Sequence, residues 1–298
     1  LFLYALISND YLYSCLIDLM QLIVKIIFFI TFGFAGVSTF AQPVIDVYLS
    51  AVSPTFKGMQ FRMVEETHEL LALVNGKTPF FKIVKKFNTE GRLISETKYN
   101  NMGGVVYETN WEYNSKSEPL KKFTKQFINY KGWTTEEVRF KYNDTTGCLQ
   151  EINFYYEKVR KQYAQVTCDS LGKLKEIHVF NESGVFTNIE RILYIPSNNS
   201  LRVMVYRSNE QFVAAHIYPI DYAKTPPKSS IKRAYNDRGD IILEALPDSK
   251  LKQGYYYDYR YDSYGNWNIK LTYQCTVTEN DKVKDKKLEH KIIRNITY

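Results

Sequence analysis

No known catalytic signature runs through these 298 residues. There is no G-x-S-x-G nucleophile elbow, no P-loop, no H-E-x-x-H and no dinucleotide fingerprint, which removes the enzyme classes that depend on them. Histidine is scarce. His68, His178, His216 and His290 stand far apart, none with a second histidine or a cysteine at metal-ligand spacing. His178 reads as a packed or edge side chain on the face of Leu174 and Phe180. Neighbouring acids such as Glu65/Glu66 and Glu136/Glu137 point to opposite faces of any strand, so neither pair can act jointly as acid and base. No catalytic residue, metal ligand or cofactor is therefore expected. A hydrolase would need acids converging from distant strands. The charges, 39 basic against 32 acidic for a net +7, are interspersed, and the densest cluster, Lys282–Lys291, contains acids too. Without a continuous basic track, nucleic acid is not an expected partner.

Glycine is also sparse, and most of it serves one purpose. Only 12 of the 14 glycines follow residue 41, and eight close a four-residue unit that begins with Asn or Asp. The units start at Asn88, Asn100, Asn129, Asp144, Asp169, Asn181, Asn236 and Asp262, and end at Gly91, Gly103, Gly132, Gly147, Gly172, Gly184, Gly239 and Gly265. The Asx side chain can bond the backbone ahead of it, and the glycine accepts the positive φ of a G1 bulge. An aromatic residue often precedes the unit, and the second residue after the glycine is apolar in seven cases. That is the pattern of a hairpin with one packed face.

Aromatics are abundant, with 25 Tyr and 18 Phe, a composition that favours strands. Period-2 alternation flanks the turns. Around Asp262–Gly265, a three-residue loop would pair Tyr261 with Trp267 and Tyr259 with Ile269, placing both apolar rows on one side. Roughly 16–18 strands are expected between Met59 and Tyr298. The Pro/Ser-rich stretch 218–230 reads as a surface loop or a linker between sub-domains. Asp46–Val52 is too short to assign.

No apolar run reaches the ~20 residues of a membrane span. Ile26–Val37, followed by Thr39 and Ala41 in the small positions of a cleavage site, reads as a signal peptide cut after Ala41. The expected organisation is an upstream segment plus signal peptide over 1–41 and a β-repeat domain over 42–298. The destination is the periplasm, outer surface or extracellular space, with no membrane contact beyond the signal. There an oxidising compartment permits disulfides. A loop at Glu157–Val159 would set Cys148 opposite Cys168, giving either a bridge or two buried free thiols, with Cys275 left as a core thiol.

The units "YDSYGNW" (Tyr261–Trp267), "FNTEGRL" (Phe87–Leu93), "YNDRGDI" (Tyr235–Ile241) and "FNESGVF" (Phe180–Phe186) resemble the YD repeats of the Rhs family. With the opening Phe56–Glu69, residues 56–298 are also similar to secreted proteins of Bacteroidetes bacteria. The resemblance implies exported hairpin arrays coiled into a sheet or shell, and it carries no catalytic residues.

The fold class expected is all-β: antiparallel β-hairpin repeats forming a long twisted sheet or partly closed β-shell, preceded by a signal-peptide helix. The function expected is non-catalytic binding or scaffolding at the envelope or outside the cell, with a protein or a surface glycan as partner. A glycan would be bound by exposed rings, for which Trp133, Trp111 and Trp267 are the candidates. The competing reading for these rings, and for Tyr255–Tyr261, is burial in the core.

Overall fold

The computed structural model describes residues 43–52, 62–71, 80–220, 232–245, 253–278 and 282–298. The expected signal peptide, its cleavage site and most of the 218–230 stretch lie outside them. By contacts the chain divides into Leu1–Pro43 and Val44–Tyr298, and every element named below belongs to the second unit. Among the described residues it holds one α-helix, α1 (Ile45–Val52), a short 3-10 turn at Pro196–Asn198 and seventeen strands. The helix occupies the segment whose sequence was too short to assign. Among the described residues no helix is long and apolar enough to cross a membrane.

All seventeen strands join one antiparallel sheet that does not close into a barrel. The strands are β1 (Met63–Leu70), β2 (Phe80–Phe87), β3 (Leu93–Tyr99), β4 (Val105–Tyr113), β5 (Pro119–Ile128) and β6 (Gly132–Tyr142). They continue as β7 (Leu149–Tyr156), β8 (Val159–Cys168), β9 (Leu174–Asn181), β10 (Phe186–Ile195), β11 (Ser200–Arg207) and β12 (Phe212–Pro219). The remainder are β13 (Lys232–Tyr235), β14 (Ile241–Ala245), β15 (Gln253–Tyr261), β16 (Trp267–Val277) and β17 (Val283–Thr297). Each pairs with its chain neighbour except β12 with β13, and β1 also pairs with β17 along its whole length, from Met63↔Thr297 to Leu70↔His290.

The turns form as their composition requires. In the last one, Asp262 Oδ1 accepts from the backbone N–H groups of Tyr264 (3.0 Å) and Asn266 (2.9 Å), and Gly265 sits at φ +86°. Asn88, Asn100, Asp169, Asn181 and Asn236 accept the same two bonds, from the residues two and four ahead. Two units depart from expectation. Asn143, not Asp144, supplies the accepting side chain ahead of Gly147. At Asn129 the turn starts one residue earlier, with Lys131 N–H bonding the Ile128 carbonyl. Asn114 builds the same turn with Ser117 at φ +61° in the glycine position.

Nine hairpins share a second feature that composition did not disclose. The register slips just after the turn, because the strand leaving it carries one extra residue. In the β15–β16 hairpin that residue is Asn268: Tyr261 faces Trp267 as expected, but Tyr259 faces Lys270 and Arg260 faces Ile269. The two apolar rows therefore part company. Ile269 and Leu271 go to one face, while Lys270 and Thr272 join the tyrosines on the other. Several tyrosines reach back across the adjacent strand to its first carbonyl, as Tyr113 does to Leu93 (2.9 Å), Tyr142 to Pro119 (3.0 Å) and Tyr259 to Ile241 (3.0 Å). These bonds let a ring pack while its hydroxyl stays satisfied.

Following paired residues from strand to strand identifies one continuous face. It runs Arg233, Glu244, Tyr255, Gln274 on β13–β16, and Lys270, Ile292, His68, Phe81 on β16, β17, β1 and β2. From β3 to β10 the same face carries Glu96, Thr109, Thr124, Glu136, then Ile152, Ala164, Val179 and Ile192. Over β4–β11 part of this face is an apolar cluster, and α1 lies on it. Ile45 and Ala51 pack against a cluster that includes Trp111, Phe140, Ile152, Ile177 and Val203. A buried Ile such as Ile177 contributes about 1.5–3 kcal/mol. The helix is fixed at its start by Glu190, which is fully buried on β10 and accepts from the N–H groups of Val44 (2.5 Å) and Ile45 (3.2 Å). Tyr218 also donates to Asp46.

The structure joins Cys148 to Cys168, with Cα atoms 6.3 Å apart, and leaves Cys275 buried and free. The β7–β8 loop has two residues, Glu157 and Lys158, both at positive φ, instead of the three expected at Glu157–Val159. A slip near Phe154 restores the pairing of Ile152 with Ala164.

Candidate binding groove

On the half of this face away from α1, covering side chains give way to a polar and aromatic surface. At its centre is Glu66 on β1, 3% exposed. Its Oε1 accepts from Arg294 Nε at 2.7 Å, and its Oε2 from Lys85 at 3.2 Å and His68 Nε2 at 3.3 Å. Burial would raise this carboxyl, but the His68 hydrogen bond and the charges of Lys85 and Arg294 outweigh it and bring it down to about 2. Glu65, the next residue, points the other way and pairs with Lys82, as strand alternation requires. Glu136 and Glu137 divide likewise between the two faces.

His68 continues the chain of contacts. Its ring stacks on Phe81 at 4.4 Å, and its Nδ1 lies 3.2 Å from Nε2 of His290 on the facing strand. These two histidines are 222 residues apart, and only the pairing of β1 with β17 brings them together. Burial, with the nearby His68 and Lys270, lowers the pKa of His290. Among the described residues no group of three His, Cys, Asp or Glu side chains is placed to hold a metal ion.

Beside this cluster two pockets adjoin and share Tyr257. The larger, about 840 Å³, is lined by Leu70, Tyr255, Tyr257, Thr272, Leu288 and His290, among others. The smaller, about 440 Å³, is lined by Arg233, Asp240, Glu244, Tyr257, Tyr259 and Lys270, among others. Glu244 receives bonds from Arg233 (2.6 and 2.9 Å) and from the Tyr257 hydroxyl (3.1 Å), and Asp240 receives one from Tyr261 (2.7 Å). Lys270 lies over the rings of Tyr257 (4.4 Å) and Tyr259 (5.7 Å), and burial lowers its pKa. It occupies this place because of the extra residue Asn268.

The three tryptophans are not brought together. Trp111 is a core residue, 7% exposed and stacked on Tyr113, so it is withdrawn as a ligand candidate. Trp133 is 41% exposed, but it stands on the opposite face, edge-on to Phe127 and beneath Lys125. Trp267 is half-buried at the rim of the Glu66 cluster, capped by the Arg294 guanidinium and met edge-on by Tyr259. His178 shares a face with Phe180 as expected. The extra residue Lys175 puts Leu174 on the other face, and His178 pairs with Glu176 at 3.0 Å.

Sequence reasoning missed Glu66, His68 and His290, because nothing local marks strands 222 residues apart as neighbours. It did single out the Tyr255–Tyr261 row, three of whose members now line the groove.

No protein-family model matches the chain, and no curated protein matches it. Among solved structures, it is similar to a porin-like protein from Bacteroides uniformis, at 14% identity and a TM-score of 0.42, over 82% of this chain and all of that one.

Proposed function

We propose that this chain is an exported, non-catalytic binding protein of the YD-repeat kind. The hairpin sheet is its scaffold, and the groove over β13–β17 takes a saccharide. The observation that carries the reading is the pair of adjoining pockets sharing Tyr257, with rings and fixed polar groups alternating along them. Tyr255, Tyr257 and Tyr259 repeat at about 6.8 Å along β15. Each offers an apolar ring face beside a hydrogen-bonding group, the combination a sugar ring needs. Charges of both signs line the smaller pocket, which favours a hydroxyl-rich ligand over a polyanion. The Cys148–Cys168 bridge supports export. The groove carboxylates Asp240 and Glu244 are each bonded to neighbouring side chains, which supports a binding role over acid–base catalysis.

The test is a glycan array followed by calorimetry on the best ligand. Tyr257→Ala removes the ring common to both pockets and is expected to weaken binding about tenfold, or 1.4 kcal/mol. Trp133→Ala, on the other face, leaves it unchanged. Equal affinity for wild type and Tyr257→Ala, or no glycan bound at all, overturns the reading.

A further inference from the structure

With a neutral His68, the hydrogen bonds from Glu66 through His68 to His290 run in one direction. The Glu66 carboxylate can only accept, so the 3.3 Å contact requires a proton on His68 Nε2. A neutral His68 then presents a bare Nδ1, and the 3.2 Å contact requires His290 to donate from its own Nε2. The consequence falls on the other nitrogen of His290. Its Nδ1 carries a lone pair, and it has no hydrogen-bond partner among the described residues. The ring lines the larger pocket.

We propose that His290 Nδ1 is a preset hydrogen-bond acceptor for a ligand hydroxyl, held in that tautomer by His68 and Glu66 as positioning residues. The proposal rests on the saccharide reading for its ligand class, but the tautomer chain stands by itself. A hydroxyl is the group selected, because it can donate to Nδ1 while its carbon skeleton lies against Tyr257. A ligand oxygen that only accepts, such as a carboxylate or phosphate, would meet a lone pair with a lone pair. Protonation of His290 turns the acceptor into a donor; a hydroxyl held with its proton aimed at Nδ1 must then rotate and give up that placement, so binding weakens in acid. Leu70 and His68 face His290 from β1, Thr272 and Lys270 from β16, and Tyr257 from β15; Tyr255 of β15 and Lys287 and Glu289 of its own strand line the same pocket. The Lys270 charge opposes a second positive charge on the imidazole. Glu66, held down to about 2, stays ionised throughout the range in which His290 titrates.

Two measurements decide it. Nitrogen-15 NMR of the imidazoles at pH 7.5, without ligand, should place the protons of both His68 and His290 on Nε2; a proton on His290 Nδ1 overturns the relay. Calorimetry between pH 7.5 and 4.5 then uses neutral oligosaccharides from the array. Wild-type affinity should fall at least tenfold towards acid. His290→Gln keeps an acceptor oxygen that does not titrate, so it should bind with a flatter pH profile. His290→Phe should bind weakly at every pH. Wild-type and His290→Gln profiles that coincide overturn the acceptor role even where the array is positive. An array on which wild type binds nothing overturns the saccharide reading and the ligand half of this proposal together, while the tautomers still decide the relay.

Discussion

Glu66 and Glu190 lie on the same face of the sheet and both are buried, but their surroundings differ in sign. Glu66 is ringed by Lys85, Arg294 and His68, and its carboxyl is brought down to about 2. Among the described residues Glu190 has only the first N–H groups of the helix segment for partners, and Asp46 is nearby; burial dominates and pushes it up to about 7. A lowered carboxyl stabilises the fold above its usual range near 4.5, and that contribution is lost as pH falls towards 2. A raised carboxyl works the other way. Folding is favoured fully below about 4.5, and the advantage disappears as pH rises through 7. Each contribution is on the order of 3 kcal/mol. Stability should therefore decline on both sides of a maximum near pH 4.5–5. Glu190→Gln should flatten the alkaline side, as read by urea denaturation at pH 5 and pH 8. An unchanged slope between those two values would remove Glu190 as its cause.

At the scale of the element, the hairpin is a turn and a phase slip acting together. The disulfide spans one such pair of strands, and removing it as Cys148→Ser with Cys168→Ser should lower stability by about 3 kcal/mol. Urea denaturation compares the double variant with wild type. The oxidised wild type should lose a similar amount when reduced, and no change in either case would mean the bridge constrains nothing. Turn chemistry was legible in the sequence because it is local: an Asx oxygen, two N–H groups and a glycine lie within five residues. The slip was harder to see, though it leaves a trace. Leu149, Ile152 and Phe154 share the face under α1, as do Leu174, Ile177 and Val179, so the apolar spacing is three and then two. A reading that assumes strict alternation misses the three. The same assumption placed Ile269 beside Tyr259, where the structure has Lys270, and hid the charged side of the groove.

At the scale of the molecule, what could not be read was which strands far apart in the chain would meet. Seventeen strands agree with the number expected and the all-β class follows from local pattern, but the partnership of β1 and β17 has no local signal. It decides the candidate site, since Arg294, His290, Glu66 and His68 all depend on it. Deleting residues 283–298 should be far more damaging than losing one strand from an edge. Glu66 would lose Arg294, and both β1 and β16 would lose a neighbour. The truncated chain should show no cooperative melt by circular dichroism. A transition within a few degrees of wild type would show that the β1–β17 seam is dispensable.

The same seam sets an order of events during synthesis. A meander of hairpins can form progressively, each strand docking on the one made just before it. The strand β1 cannot gain its second neighbour that way, because β17 is made more than two hundred residues later; Glu66 and Arg294 are 228 apart. Until then one side of β1 is an open template for any other extended chain, the kind of edge that invites misassembly. A protein built like this gains from being held unfolded until β17 has been made, which is how a chain threaded through an export channel travels.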